Sequence, residues 1–405
     1  MNQGVPSWAA VLAVREYRAL WLAEAQSIAG DQLMKVAMMI MVYQRTNNAI
    51  WAAGVYALTF LPAIAGIGLS QLADRFPRRR LMVTCALIQA GLVGIMAIPN
   101  VPLPVVFALV AGVSLAQAPA VAAQNAASRE AFTDDALYLR SQDLRGITMN
   151  TLMLLGLAGG GLLVTAIGAS WSMAINAVTF LISAALIHTR VHSRPAAGSK
   201  EDGWFDGAKW VFGDQKLRTL LTLSWLVGFA VVPEGLAAPL AREIGAPDAA
   251  IGWLLAADPL GFVVGTFVLS HFVTAQNRMR VLGVLAVGSV AILVAFVLRP
   301  NLLFALLLLG AAGAFGSYQV AVSATFNTLV PNEIRGGAFG VARTGLRVAQ
   351  GVGVAIGGVL TELFDSATTT IALAGLAGTA IAVPAAVMWR RIQGSKASAI
   401  ADTGQ

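Results

Sequence analysis

Ser70-Gln71-Leu72-Ala73-Asp74-Arg75-Phe76-Pro77-Arg78-Arg79-Arg80-Leu81 sets five charges and a proline between two long apolar runs. A cluster of that kind has no place in hydrocarbon, where a single central charge costs about 2.5–3.5 kcal/mol or more. It therefore reads as a short aqueous loop between two membrane-spanning helices, and its arginines say which side it faces.

The rest of the chain agrees with that setting. Of its 405 residues, 57% are hydrophobic and only 12% are charged, with mean hydropathy +0.74. Soluble domains carry about 25% charged residues, so too few charges are present here to cover a water-facing surface. The 41 glycines suit close packing of helices in a membrane. Cys85 is the only cysteine, which excludes a disulfide framework or a cysteine-built metal site, and the three histidines lie near helix ends. No metal or cofactor is expected. The net charge of +7 reads as loop charge rather than as a nucleic-acid surface. The stretch up to Arg18 is polar and charged, and the apolar run after it is too long for a signal-peptide core.

Spanning helices need about 20 mostly apolar residues. Twelve segments qualify: 18–43, 49–72, 80–98, 103–126, 143–167, 171–190, 217–240, 248–273, 279–298, 302–326, 335–362 and 367–389. With the N-terminus inside, 23 of the 27 lysines and arginines fall in segments on the inner side. Arg45, Arg242 and Arg299 fall outside, and Lys35 lies within a span. That asymmetry predicts both termini in the cytoplasm.

The longest polar stretch, residues 191–216, divides the chain. Pro195 to Asp202 reads as a flexible linker. Trp204, Phe205, Trp210, Val211 and Phe212, interleaved with Asp206 and Lys209, predict a short amphipathic helix on the inner surface. The expected organisation is an N-terminal six-helix bundle (1–190), a linker (191–216), a C-terminal six-helix bundle (217–390) and a tail (391–405). An offset of 200 aligns Ser70 with Ser270, Arg78 with Arg278 and Arg80 with Arg280, while Thr274 stands where Asp74 stands. Internal repeats of this kind are a transporter architecture.

These features resemble the major facilitator superfamily. The loop is similar to its signature between the second and third spans, with Leu72, Ala73, Asp74, Arg75, Arg78 and Arg79 matching and Ser70 and Pro77 replacing two glycines. Gly30-Asp31-Gln32, Phe180-Leu181-Ile182-Ser183 and Pro331-Asn332-Glu333-Ile334-Arg335-Gly336 extend the likeness, and the loop's Pro77-Arg78-Arg79-Arg80-Leu81 form is similar to the branch that includes enterobactin-exporter-like and macrolide-efflux-like proteins. The fifth span reads Gly156-Leu157-Ala158-Gly159-Gly160, without the antiporter signature's proline, and Val110 to Gln117 lacks the arginine of the drug–proton signature. The resemblance implies an all-α membrane protein with twelve helices in two pseudo-symmetric bundles. It also implies alternating-access efflux of a small, partly apolar compound, proton-coupled, by a monomer in a bacterial-type plasma membrane. A siderophore or metabolite exporter and a non-transporting membrane sensor stay open as alternatives. An enzyme is not expected, because the acids are dispersed and no nucleophile–base pair accompanies them.

Candidate site residues follow from charges placed inside spans. Glu24, Asp31 and Lys35 share one face of the first span, and Asp31 and Lys35 have the spacing of a helical ion pair. Glu234 lies between Pro233 and Gly235, which should break the seventh span. Asp258 precedes Pro259 in the eighth span, with Arg343 and Arg347 as possible partners. These acids read either as a proton-coupling or substrate cavity, or as structural pairs. In the loop, Asp74, Arg75, Arg78 and Arg79 are candidates for conformational gating. Asp74 is expected at the N-terminus of the eleventh span, where free N–H groups favour an anion. The glycines of Gly156–Gly161, Gly351–Gly353 and Gly357–Gly358 read as helix-packing faces.

Overall fold

A computed structural model describes residues 7–60, 69, 72–194, 204–331 and 334–402. Ser70, Gln71, the side chain of Asp74, linker residues 195–203, and Asn332 and Glu333 lie outside the described set. Every regular element among the described residues is helical. The chain divides into two compact units. Unit 1 is Met1–Arg45 with Leu58–Lys200, and unit 2 is Thr46–Ala57 with Glu201–Gln405.

Unit 1 contains α1 (Trp8–Ala13), α2 (Arg15–Thr46), α4 (Leu72–Arg75), α5 (Arg78–Met96), α6 (Leu103–Glu130), α7 (Asp135–Ile167) and α8 (Ala169–Arg190). Pro77 and Pro102 precede α5 and α6, as expected for a residue with no N–H to contribute. Helix α7 starts eight residues before the predicted span, because Asp134 caps it by accepting from Ala136 N at 2.8 Å. Leu20, Ala23, Met82, Ala123 and Ile187 form part of the unit 1 core.

Unit 2 begins with α3 (Ala49–Ala57), a segment from early in the sequence. It continues through α9 (Trp204–Gly213), α10 (Gln215–Trp225), α11 (Val227–Ala230), α12 (Val232–Gly235), α13 (Ala237–Glu243), α14 (Ala250–Phe272), α15 (Ala275–Ala291), a 3₁₀ turn (Ile292–Leu298), α16 (Leu302–Gly316), α17 (Tyr318–Leu329), α18 (Arg335–Phe364) and α19 (Ala367–Asp402). The short pieces α11 to α13 replace one continuous helix. Pro233 cannot donate, and tighter bonds such as Glu234 N to Val231 O (3.0 Å) carry the backbone through. Gly353 of α18 meets α11 backbone to backbone: a Cβ there would lie 1.9 Å from the Gly228 carbonyl oxygen. Helix α9 also packs into this unit, with Val211 fully buried and Trp210 against the core formed by Leu217, Leu220, Tyr318, Phe326 and Trp389.

Ten helices among the described residues are long and apolar enough to cross a membrane. The predicted second span, 49–72, is described only in part, as α3 and the turn Leu58–Phe60. Helix α2 has 32 residues, about 48 Å at 1.5 Å per residue, and carries the charges Glu24, Asp31 and Lys35 in its interior.

Candidate functional site

Four polar groupings interrupt the apolar packing, two among the membrane helices of unit 1, one in unit 2 and one at the loop end of unit 1. In unit 1, Asp31 is half-buried on α2. The amide of Asn176 on α8 points at it, with Nδ2 3.4 Å from Asp31 Oδ1. Asn176 is fully buried and its own oxygen accepts from Thr179 Oγ1 at 3.0 Å. Gly30 makes this approach possible, since a Cβ at that position would lie 2.1 Å from Asn176 Oδ1. Lys35 acts electrostatically on Asp31, while its ammonium donates to Gln32 Oε1 at 3.3 Å.

Glu24 takes a different partner. Arg145 of α7 grips its carboxylate with two bonds, Nε to Oε2 at 2.7 Å and Nη2 to Oε1 at 2.5 Å, and donates from Nη1 to Asn125 Oδ1 of α6 at 2.8 Å. The charge count places Arg145 at the inner end of the fifth span, and it lies within α7, ten residues after that helix begins at Asp135. Beside this pair, the Trp21 indole donates to Thr148 Oγ1 at 3.1 Å and the Tyr17 hydroxyl to Ser141 O at 2.8 Å.

In unit 2, Glu234 on α12 accepts a hydrogen bond from the Tyr56 hydroxyl of α3 at Oε2. Asp258 on α14 lies close enough to Glu234 for their charges to interact. Arg347 of α18 interacts with both Tyr56 and Glu234, and also with Arg343. Its guanidinium donates to Gln350 Oε1 at 3.3 Å. Two acids 24 positions apart in sequence thus share one electrostatic environment, with a phenol and a guanidinium beside them.

The fourth grouping lies at the loop end of unit 1. Arg78 pairs with Glu130 at the end of α6, and Arg79 donates to Val191 O at 3.4 Å. Arg194 binds Glu16 through two 2.7 Å bonds and lies 3.9 Å from Glu130. His192 adds its backbone N–H (3.1 Å) and its Nδ1 (3.0 Å) to the same Glu16 carboxylate. Burial by itself raises the Glu16 carboxyl, but the bonds from Arg194 and His192 outweigh it and hold the group below the usual carboxylate range. Arg75 is exposed. In the aligned loop of unit 2, Thr274 caps α15 through Asn277 N (3.4 Å), and Arg278 donates to Val273 O and Ser270 O, each at 2.8 Å. The two loops therefore use their matching arginines differently, one on a carboxylate and the other on carbonyls.

Asn176, Arg145, Tyr56, Glu130 and Glu16 are absent from the sequence-based set. A buried asparagine in an apolar run and a tyrosine in a span were available signals, but their partners lie far away in sequence. Among the described residues, no group of three His, Cys, Asp or Glu could hold a metal ion.

A sequence model of the Major Facilitator Superfamily matches residues 20–233 and 219–404. The chain belongs to that superfamily. As a member of the Major Facilitator Superfamily it is a multi-pass membrane transporter and not an enzyme. Among curated proteins it is similar to "Multidrug efflux pump Tap" of Mycobacterium tuberculosis and of Mycobacterium bovis. The identity is 26% over 373 residues, covering 87% of this chain and 88% of those relatives. Among solved structures, a bacterial homologue of the human lysosomal transporter Spinster, inward-facing and unoccupied, matches with TM-score 0.70 at 15% identity, over 95% of this chain and 97% of that one. A POT family transporter in complex with 5-aminolevulinic acid matches with TM-score 0.72 at 10% identity, over 93% and 96%. These likenesses establish the fold.

Proposed function

We propose that this chain exports small, partly apolar organic compounds across a bacterial plasma membrane, driven by protons moving inward, through alternating access. The observation that carries the reading is the pair of carboxyl groups Glu234 and Asp258, near enough within unit 2 for their charges to interact, on a broken helix and a proline-bearing helix. Ionisable groups within spans are expensive and mark ion and proton paths. Half-helices and freed backbone are how transporters of this kind build central sites. Asp31, with Lys35 beside it, is the corresponding acid of unit 1. The similarity to a multidrug efflux pump supports both the export direction and the drug-like substrate class.

The finer architecture is part of the same proposal. Twelve spans form two six-span bundles, 1–190 and 217–390, joined by a linker at 191–216 and followed by a tail at 391–405. Both termini are cytoplasmic, and the chain works as a monomer. Loop residues Asp74, Arg75, Arg78 and Arg79 form the conformational gate, and Glu24 with Arg145 braces the cavity wall of unit 1.

The test is a substrate-accumulation panel of dyes, drugs and siderophores in cells with and without the chain, repeated with a protonophore. Lower accumulation of drug-like compounds, abolished by the protonophore, is the expected result. Selective loss of a siderophore or metabolite would move the substrate class, and no flux in proteoliposomes would favour the sensor alternative. In proteoliposomes, Asp31→Asn, Glu234→Gln and Asp258→Asn should each abolish pH-dependent flux; if all three retain it, these acids do not carry the proton.

A further inference from the structure

Helix α3 occupies an unusual position in the chain. The residues before and after it, Met1–Arg45 and Leu58–Lys200, belong to unit 1, whereas Thr46–Ala57 belongs to unit 2. Its contacts within unit 2 include three along its length. At its start, Ala49 N donates to Glu362 Oε2 of α18 at 3.2 Å. Along its length it lies against α18 at Gly358, where a Cβ would stand 2.6 Å from Ala53 Cβ and 3.3 Å from the Ala49 carbonyl oxygen. Near its end, the Tyr56 hydroxyl donates to Glu234. Ala52, Ala53 and Val55 are fully buried, and Tyr56 is 7% exposed.

Two of these contacts end on carboxylates, Glu362 at the start of α3 and Glu234 near its end, whereas the glycine packing does not change unless the helices part. The Tyr56–Glu234 contact is the one that joins two side chains. The Tyr56–Glu234 bond changes whenever Glu234 changes its protonation, because a phenol donates to a carboxylate about twice as strongly as to a neutral acid. We propose that Tyr56 is a positioning residue for Glu234, and that unit 2 holds or releases α3 according to whether Glu234 accepts the Tyr56 hydroxyl as a carboxylate. The assignment rests on the reading of Glu234 as a proton-path residue.

Linkage makes the effect reciprocal. A docked α3 stabilises the ionised acid, and a protonated acid weakens the docking by the same factor. Tyr56 lies at the junction between a segment that the sequence assigns to the first half and an acid of the second. It thereby converts a proton on Glu234 into a change in the hold on α3. Among the described residues, the groups that act on Glu234 from the packed elements include Tyr56 of α3, Asp258 of α14 and Arg347 of α18, with Arg343 acting on Arg347. Arg347 opposes protonation of the cluster and Asp258 competes for the proton, so the switch belongs to the group rather than to one acid.

The test is hydrogen–deuterium exchange of the full chain in lipid nanodiscs, reading peptides that cover residues 46–60. Rates are corrected for intrinsic exchange at about pH 8 and about pH 5. In the wild type, protection of α3 should fall about tenfold from the higher to the lower pH, the size expected for one weakened charge-assisted bond. Tyr56→Phe should show the low protection at both values, and Glu234→Gln the same. Peptides covering α5 serve as the folding control and should not move. Tyr56→Phe exchange indistinguishable from wild type at both pH values overturns the inference. Flux of the best substrate from the accumulation panel is measured in parallel. If Glu234→Gln loses pH-dependent flux while Tyr56→Phe leaves α3 exchange unchanged, the inference falls and the proton reading stands. If Glu234→Gln keeps pH-dependent flux, Glu234 is not on the proton path, while α3 exchange that still answers to Tyr56→Phe upholds the docking contact.

Discussion

The Glu24–Arg145 pair offers the sharpest energetic prediction. The two side chains are 15% and 19% exposed, so solvent screens them little. Their geometry is a double bond between the guanidinium and the carboxylate, with N–O distances of 2.7 and 2.5 Å. Charge centres about 4 Å apart at an effective dielectric constant near 20 attract by about 4 kcal/mol. Desolvation offsets part of that, so the pair's net worth is small. Removing one partner is a different matter, because the other charge is left buried with Asn125 as its remaining bond partner at 2.8 Å in the Arg145 case. Such removals cost about 3–5 kcal/mol. Glu24→Gln and Arg145→Met should therefore each destabilise the protein by about 3 kcal/mol. The double variant leaves neither charge buried and should lose about 1 kcal/mol or less, giving a coupling energy near 5 kcal/mol. For a chain of this length, a 1 kcal/mol loss lowers the apparent Tm by about 1–2 °C on the size trend, so each single variant should melt about 3–6 °C early. The assay is thermal melting of purified, monodisperse protein in detergent, followed by tryptophan fluorescence. Single-variant shifts that simply add in the double variant would refute the reasoning, because additivity means that the two charges do not depend on each other.

The Glu16 grouping predicts a pH effect. Its folded value lies below the usual 4.5, so its contribution is complete above the ordinary carboxylate range and fades as pH falls through the lowered value. Wild-type Tm should drop on acidification below about pH 4.5, and Glu16→Gln should melt lower at neutral pH with a flatter acid limb; parallel acid limbs in the two proteins would count against the assignment. Asp74→Asn should insert and melt like the wild type yet lose most of its transport, and undiminished flux from that variant would remove Asp74 from the gate.

Much of this protein was legible from composition and charge placement. Charge scarcity and the knot at residues 70–81 are enough to require lipid as the main solvent, because no packing arrangement makes Asp74 and four arginines comfortable in hydrocarbon. Pro233 and Gly235 announced the break between α11 and α13, since a missing N–H is a local property. Helix α7 begins eight residues before the expected span, because hydropathy tracks apolar runs and does not register a cap such as Asp134.

What sequence by itself determined is the membrane setting, the helical class and the identity of the costly charges inside the spans. Helical periodicity places Glu24, Asp31 and Lys35 on one face, but it carries no information about which helix that face meets. Only the tertiary structure assigned Glu24 to Arg145, Asp31 to Asn176 and Glu234 to Tyr56, partners 121, 145 and 178 positions away. It also transferred α3 to unit 2. The physical reason is that a charge in a low-dielectric interior needs compensation at contact distance, and any helix that packs alongside can supply it. The demand is written locally, while the supplier is chosen by packing.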